Sequence, residues 1–177
     1  MNCPKCKSTR MHPANLDTGL SSLKCDSCSG HWLNFTNYLR WQQNSEIDSE
    51  EMEELHGEFD DTNNALICPS CTKILSKYRV TANAPFIIDE CGKCSGIWFD
   101  KNEWQSIASQ GLSNKIHLFF TSHWQKNVQK ELSNKRKIEI FKTKFGEENF
   151  SKLEEIKEWL KESQHRDAML AYLMDEE

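Results

Sequence analysis

Cysteine is the residue best equipped for chemistry in this chain. All eight copies fall in Cys-x-x-Cys pairs: Cys3 and Cys6, Cys25 and Cys28, Cys68 and Cys71, Cys91 and Cys94. Such a pair delivers two sulfurs from one tight turn, and four thiolates make a closed tetrahedral site for a soft divalent metal. Eighteen residues separate the first two pairs and nineteen the last two, inside the range of a four-thiolate zinc site. The expectation is two zinc ions, one held by Cys3, Cys6, Cys25 and Cys28 and the other by Cys68, Cys71, Cys91 and Cys94. Four protein ligands leave no position for water or substrate, so the expected role is structural. A rubredoxin-like iron would use the same donors, but its knuckles are spaced further apart. Disulfides are the other alternative. The start, Met1-Asn2-Cys3, does not read as a secretory signal, and the expectation is a reducing cytoplasm, where thiols favour metal over disulfide.

Histidine adds little. His31 lies three residues after Cys28, but the matching position of the second cysteine group is Ile97, so His31 reads as a tolerant surface position. His117 and His123 form only a loose pair. There is no glycine-rich phosphate loop and no nucleophile motif. The expectation is a protein that is not an enzyme.

The elements that must position the sulfurs come from a repeat. Cys28-Ser-Gly-His-Trp32-Leu-Asn34 reappears as Cys94-Ser-Gly-Ile-Trp98-Phe-Asp100, 66 residues on. Two similar units argue that each quartet closes on itself. In the second, Ile74, Ser76, Tyr78 and Val80 alternate, then Phe86 and Ile88, with a reversal at Thr81 to Ala84, which predicts a hairpin. In the first, Met11 to Leu16 and Leu20 to Lys24 flank a turn at Asp17-Thr18-Gly19. A helix is expected after each unit, capped by Asn34 in one and by an Asp100–Glu103 capping box in the other. Gly30 and Gly96 are expected to allow a backbone turn. Trp32 and Trp98 are expected to pack over the hairpins and shield the metals. A ribbon this small buries too little surface to fold alone, and metal makes up the difference.

The segment Ile88 to Asp100, with Glu103 following, resembles the bacterial zinc ribbon family named after transcription factor IIB. That family's pattern is Cys-Pro-x-Cys, a hairpin, then Cys-x-x-Cys-x-Gly-x-Trp-Leu-Asp and a nearby Glu. Cys68-Pro69-Ser70-Cys71 supplies the first half, and Cys3-Pro4-Lys5-Cys6 with Cys25 to Leu33 supplies a second copy. The first copy has Asn34 for the Asp and Asn37 for the Glu. The resemblance covers roughly residues 1–42 and 66–110 and implies zinc ribbons with a nucleic-acid association carried by fold analogy.

The remainder is helical in pattern. Ile116, Phe120, Trp124, Val128 and Leu132 recur every fourth residue, and further stripes run through Phe141 and Phe145, Leu153 to Leu160, and Met169 to Leu173. The predicted organisation is a first ribbon and helix at 1–43, an acidic linker at 44–65, a second ribbon and helix at 66–111, and a helical tail at 112–177. The fold class is α+β. Net charge is −5, yet residues 44–62 hold nine acidic groups and no Lys or Arg, and residues 115–144 hold eight basic groups against two Glu. The basic stretch offers Lys126, Lys130, Lys135, Arg136, Lys137, Lys142 and Lys144 as candidate phosphate contacts. Nucleic acid is therefore one expected partner. A protein docked on the ribbons or tail is the other. Phe119, Phe120 and Trp124 exceed what one helical hairpin would hide, which predicts a homodimer contact. No apolar run is long enough to cross a membrane.

Overall fold

The computed structural model describes residues 1–44 and 64–175. The acidic run lies outside the described residues, as do Met52, Leu55 and Phe59, whose spacing predicts a shared helical face. The first cysteine unit holds β1 (His12–Asp17), β2 (Leu20–Lys24) and β3 (His31–Leu33), followed by α1 (Phe35–Asn44). The second holds β4 (Ser76–Arg79), β5 (Ile87–Glu90) and β6 (Ile97–Phe99), followed by α2 (Glu103–Ser109). Then come α3 (Ile116–Phe119), α4 (Ser122–Phe145), α5 (Glu147–Glu162) and α6 (Arg166–Met174). The α+β class is as the sequence implies, with both hairpins and both helices where the periodicity puts them.

The two ribbons are halves of one sheet. Its six strands run in the order β1-β2-β3-β6-β5-β4, and the central pair is antiparallel, with His31 opposite Phe99, Trp32 opposite Trp98 and Leu33 opposite Ile97. An antiparallel pairing of equivalent strands relates the halves by an approximate two-fold through the tryptophan pair. Side chains alternate across a strand, so Leu33, Ile97 and Phe99 face one layer while Trp32 and Trp98 face the other. The first layer is the main core, where Leu20, Val80, Phe86 and Ile88 meet Tyr38 of α1, Trp104 and Ile107 of α2, and Ile116 and Phe119 of α3. The second holds the tryptophans, Met11, Leu66, Leu75 and the cysteines. Sharing the sheet supplies the apolar burial that one ribbon lacks.

Polar links tie the halves together on the helical side. The Trp104 indole N–H donates to Asp17 at 3.0 Å, joining the second ribbon's helix to the first ribbon's turn. The Tyr38 hydroxyl accepts from the Ile116 N–H at 3.2 Å. Asn34 caps α1 as expected, its Oδ1 accepting from the Thr36 N–H at 2.8 Å. The second cap differs. Glu103 reaches back to the Asp100 N–H at 2.8 Å, which is half of a capping box, but the Asp100 carboxylate turns elsewhere. Its Oδ1 accepts from the Trp98 indole at 3.1 Å and from Lys5 Nζ at 3.1 Å. A buried indole N–H and an ammonium group both draw an acceptor strongly, and Glu103 already meets the Asp100 N–H at the start of α2.

The chain divides after Gln129 into two compact units. Residues 112–129, grouped with the tail in the sequence reading, pack with the ribbons. Ile116 and Phe119 are fully buried, and Phe120 and Trp124 rest on the same core. Trp124 donates to the Val80 carbonyl at 2.8 Å, and the Phe120 ring meets Tyr78 edge-on at 5.1 Å. Of the aromatic surface assigned to a homodimer contact, Phe119 is covered within the chain and Phe120 and Trp124 are partly covered. In the second unit α5 packs on α6, with Leu160 buried. Among the described residues no helix is long and apolar enough to cross a membrane.

Candidate metal centres

Each Cys-x-x-Cys pair is built on the same local turn. The residue after the second cysteine donates its N–H to the carbonyl of the first: Lys7 to Cys3 at 2.8 Å, Ser29 to Cys25 at 2.8 Å, Thr72 to Cys68 at 3.0 Å and Ser95 to Cys91 at 2.7 Å. All four of these closing residues take positive φ, at 62°, 58°, 60° and 55° in that order. Curling the chain this tightly aims both sulfurs inward and leaves the following residue in the left-handed region, where L side chains are strained. Backbone N–H groups inside the turns point at sulfur. The Cys6 N–H approaches Cys3 Sγ at 3.3 Å, and the Ser70 and Cys71 N–H groups approach Cys68 Sγ at 3.4 Å each.

The four turns converge as two quartets, Cys3, Cys6, Cys25 and Cys28, and Cys68, Cys71, Cys91 and Cys94, with the sulfurs of each within 4.8 Å of one another. In the first, Cys3 and Cys28 stand 3.7 Å apart and Cys6 and Cys25 stand 3.9 Å apart. In the second, Cys68 and Cys94 are 3.6 Å apart and Cys71 and Cys91 are 3.3 Å apart. A tetrahedron with Zn–S bonds of about 2.3 Å has edges of about 3.8 Å. A disulfide needs about 2.05 Å, and all eight cysteines are free. The donors and their spacing fit two zinc ions, each held by one ribbon's own quartet.

The thiols are electrostatically unequal before a cation arrives. Burial pushes Cys3 up to about 11 and Cys68 up to about 12, and it raises Cys28 and Cys94 as well. Burial also opposes ionisation of Cys91, but the Cys94 and Lys93 N–H groups outweigh it and bring that thiol down to about 7. Cys25 is lowered in the same way by the N–H groups of Cys28 and Ser27. Thiolate is the form that binds a dication, so metal binding draws protons off the cysteines of each quartet.

Each metal layer is closed by the opposite ribbon's tryptophan. Trp32 and Trp98 are buried, as expected, but their partners are reciprocal. A Cβ on Gly96 would stand 2.2 Å from Trp32 Cζ2, and one on Gly30 would stand 2.2 Å from Trp98 Cζ2. Neither glycine has positive φ. Their role is close approach of an indole, while the strained turn falls on Ser29 and Ser95. A glycine and a tryptophan repeated at the same offset are the sequence signal for this packing, and the register between halves is what that signal lacks.

His31 is not among the metal-ligand groups, and alternation along β3 puts it on the Leu33 face, opposite Trp32 and the cysteines. Its Nδ1 is 2.9 Å from the Ser22 hydroxyl, and burial, with Lys24 and His12 nearby, pushes the ring down to about 4. The seven basic candidates of α4 do not share one face. Lys130, Lys137 and Lys144 are seven residues apart and align. Lys135 and Lys142 are also seven apart and lie roughly 150° round the helix. Lys126 falls with the first row and Arg136 with neither.

Two thiolate-closed zinc ribbons fused across a shared sheet define the class of this protein. The family model described as a transcription factor zinc-finger matches the chain twice, over residues 2–44 and 67–110, once across each ribbon. No curated protein and no solved structure matches the chain.

Proposed function

We propose that this chain is a non-enzymatic protein-interaction adaptor of the cytoplasm, in which two zinc ions stiffen a ribbon platform and the helical second unit receives a partner. The observation that carries this reading is the apolar surface of the second unit. Ile138, Phe141 and Phe145 of α4 and Leu153, Ile156 and Trp159 of α5 are between 37% and 59% exposed, and large apolar side chains left open on both helices favour an interaction surface. The platform side favours binding over catalysis, since both quartets close without an open coordination position. Of the three rings behind the homodimer expectation, Phe119 is buried and Phe120 and Trp124 are partly buried, so they offer less free surface than the α4 and α5 side chains.

A nucleic-acid role is the second reading, favoured by the aligned row Lys130, Lys137 and Lys144 and by the ribbon unit's charge. Among described residues 1–44 and 64–129 there are twelve Lys and Arg against six Asp and Glu. Four of those acids, Asp89, Glu90, Asp100 and Glu103, are buried.

Capture from nuclease-treated cell extract on the zinc-loaded chain separates the two. A protein retained after nuclease and lost from the Phe141→Ala/Phe145→Ala variant supports the adaptor. Loss of all binding on nuclease treatment, with oligonucleotide affinity falling steeply with salt, replaces it with the nucleic-acid reading.

A further inference from the structure

The exposed face of α4 carries one heptad of apolar spacing near its C-terminus, bordered on both sides by charge. Ile138, Phe141 and Phe145 follow one another at spacings of three and four residues, the a/d spacing of a heptad. They are 41%, 45% and 37% exposed, and the two phenylalanine rings stack at 5.6 Å. In that heptad the flanking e and g positions are Lys135, Lys137, Lys142 and Lys144. Both borders of the apolar row are therefore lysine. Lys144 lies 5.9 Å from the Phe145 ring centroid, and Lys142 lies 3.7 Å from Glu147 and 5.9 Å from the Phe150 ring centroid.

Resting on the adaptor reading, the geometry points to an amphipathic helix with glutamate or aspartate on both borders of its apolar row as the partner of this face. Residues at e and g set partner choice in coiled coils. A second copy would set lysine against lysine along both borders, in parallel or antiparallel register, and like charges across such a seam disfavour that pairing. An acidic-edged helix meets opposite charge on both sides while its apolar row covers the phenylalanines. An anionic bilayer fits less well. Residues 130–175 hold ten Lys and Arg against ten Asp and Glu, so no net positive charge draws this unit to a lipid surface.

The test uses the zinc-loaded full chain and synthetic three-heptad helical peptides with leucine at a and d. One carries glutamate and the other lysine at e and g. Calorimetry is expected to detect the glutamate-edged peptide and not the lysine-edged one. Lys135→Glu/Lys142→Glu should weaken the first by about tenfold or more and gain affinity for the second. Phe141→Ala, at an exposed site where circular dichroism verifies folding, should also weaken binding. Light scattering is expected to give a monomer. Equal affinity for both peptides, affinity for neither, a dimer abolished by Phe141→Ala, or binding to anionic vesicles would overturn the proposal. If neither peptide binds while the nuclease-resistant partner is still retained, the acidic helix is wrong and the adaptor reading stands. If that retention also disappears, the adaptor reading falls.

Discussion

Gly96 of one ribbon lies beneath the indole of Trp32 from the other, so close that a methyl group on its Cα would stand 2.2 Å from the ring. Real side chains do not approach to that distance, and the ring is held by a sheet and a metal-bearing layer. Gly96→Ala must therefore displace Trp32. Overpacking of this kind costs about 3 kcal/mol, and chemical denaturation of the zinc-loaded protein should show the loss. Gly92→Ala is the control, since a Cβ there would meet no atom within 4 Å. Adding Trp32→Leu to Gly96→Ala should cost less than the sum of the single changes, because the clash then has no ring to act on.

The reciprocal contact also predicts that the two metals stabilise one folded body. Cys94→Ser removes one of four sulfurs from the second quartet and should halve the zinc content measured by elemental analysis. Its effect should reach the first ribbon, because β3 and β6 pair directly. The Trp32 indole signal in an NMR spectrum should shift or broaden in the variant. An unchanged Trp32 signal at halved zinc content would contradict the shared fold.

How much of this was legible beforehand depends on whether the signal was local. The quartets, both hairpins and the Asn34 cap follow from spacing, alternation and capping chemistry within a few residues of one another. The pairing of Trp32 with Trp98 joins strands 66 residues apart in sequence. Each strand alone reads only as a half-buried edge, so nothing local says which edge covers it. The same limit applies to Phe119, Phe120 and Trp124. Their stripe announces burial, but whether against a second chain or against Tyr78 and Val80 is a question of tertiary contact. Asp100 shows the opposite failure, since a strong local motif yields to a competing buried indole and to Lys5.

The four knuckle turns place Lys7, Ser29, Thr72 and Ser95 in the left-handed region, where a β-branched residue is strained most. Thr72, at φ 60°, is the natural site to relieve that strain. Its hydroxyl donates to the neighbouring Cys71 carbonyl, at 2.7 Å and exposed. Thr72→Gly should stabilise the zinc-loaded protein by about 1 kcal/mol, read as a rise in melting temperature. Gly146→Ala, at φ 78°, reverses the logic and should loosen the junction of α4 and α5, seen as lost helical circular dichroism.

His31 gives the pH dependence a sign. Burial first, then Lys24 and His12, holds its ring down to about 4 from 6.5, and Asp26 pairs with the nearby His12 at 3.3 Å. The folded chain therefore prefers a neutral imidazole, while the unfolded chain takes up a proton near 6.5. The contribution to stability is fully present above 6.5 and is lost as pH falls from there toward 4. Acid also protonates thiolates and releases zinc, but it does so in any variant that keeps the cysteines. His31→Ile, which copies Ile97 at the equivalent position, isolates the histidine. Between pH 7 and 5.5 the wild-type melting temperature should fall more than that of the variant, and the His31 ring should remain neutral by NMR throughout. Parallel melting curves, or a His31 signal titrating near 6.5, would mean that the ring is solvated and that Ser22, 2.9 Å from Nδ1, does not hold it in the sheet.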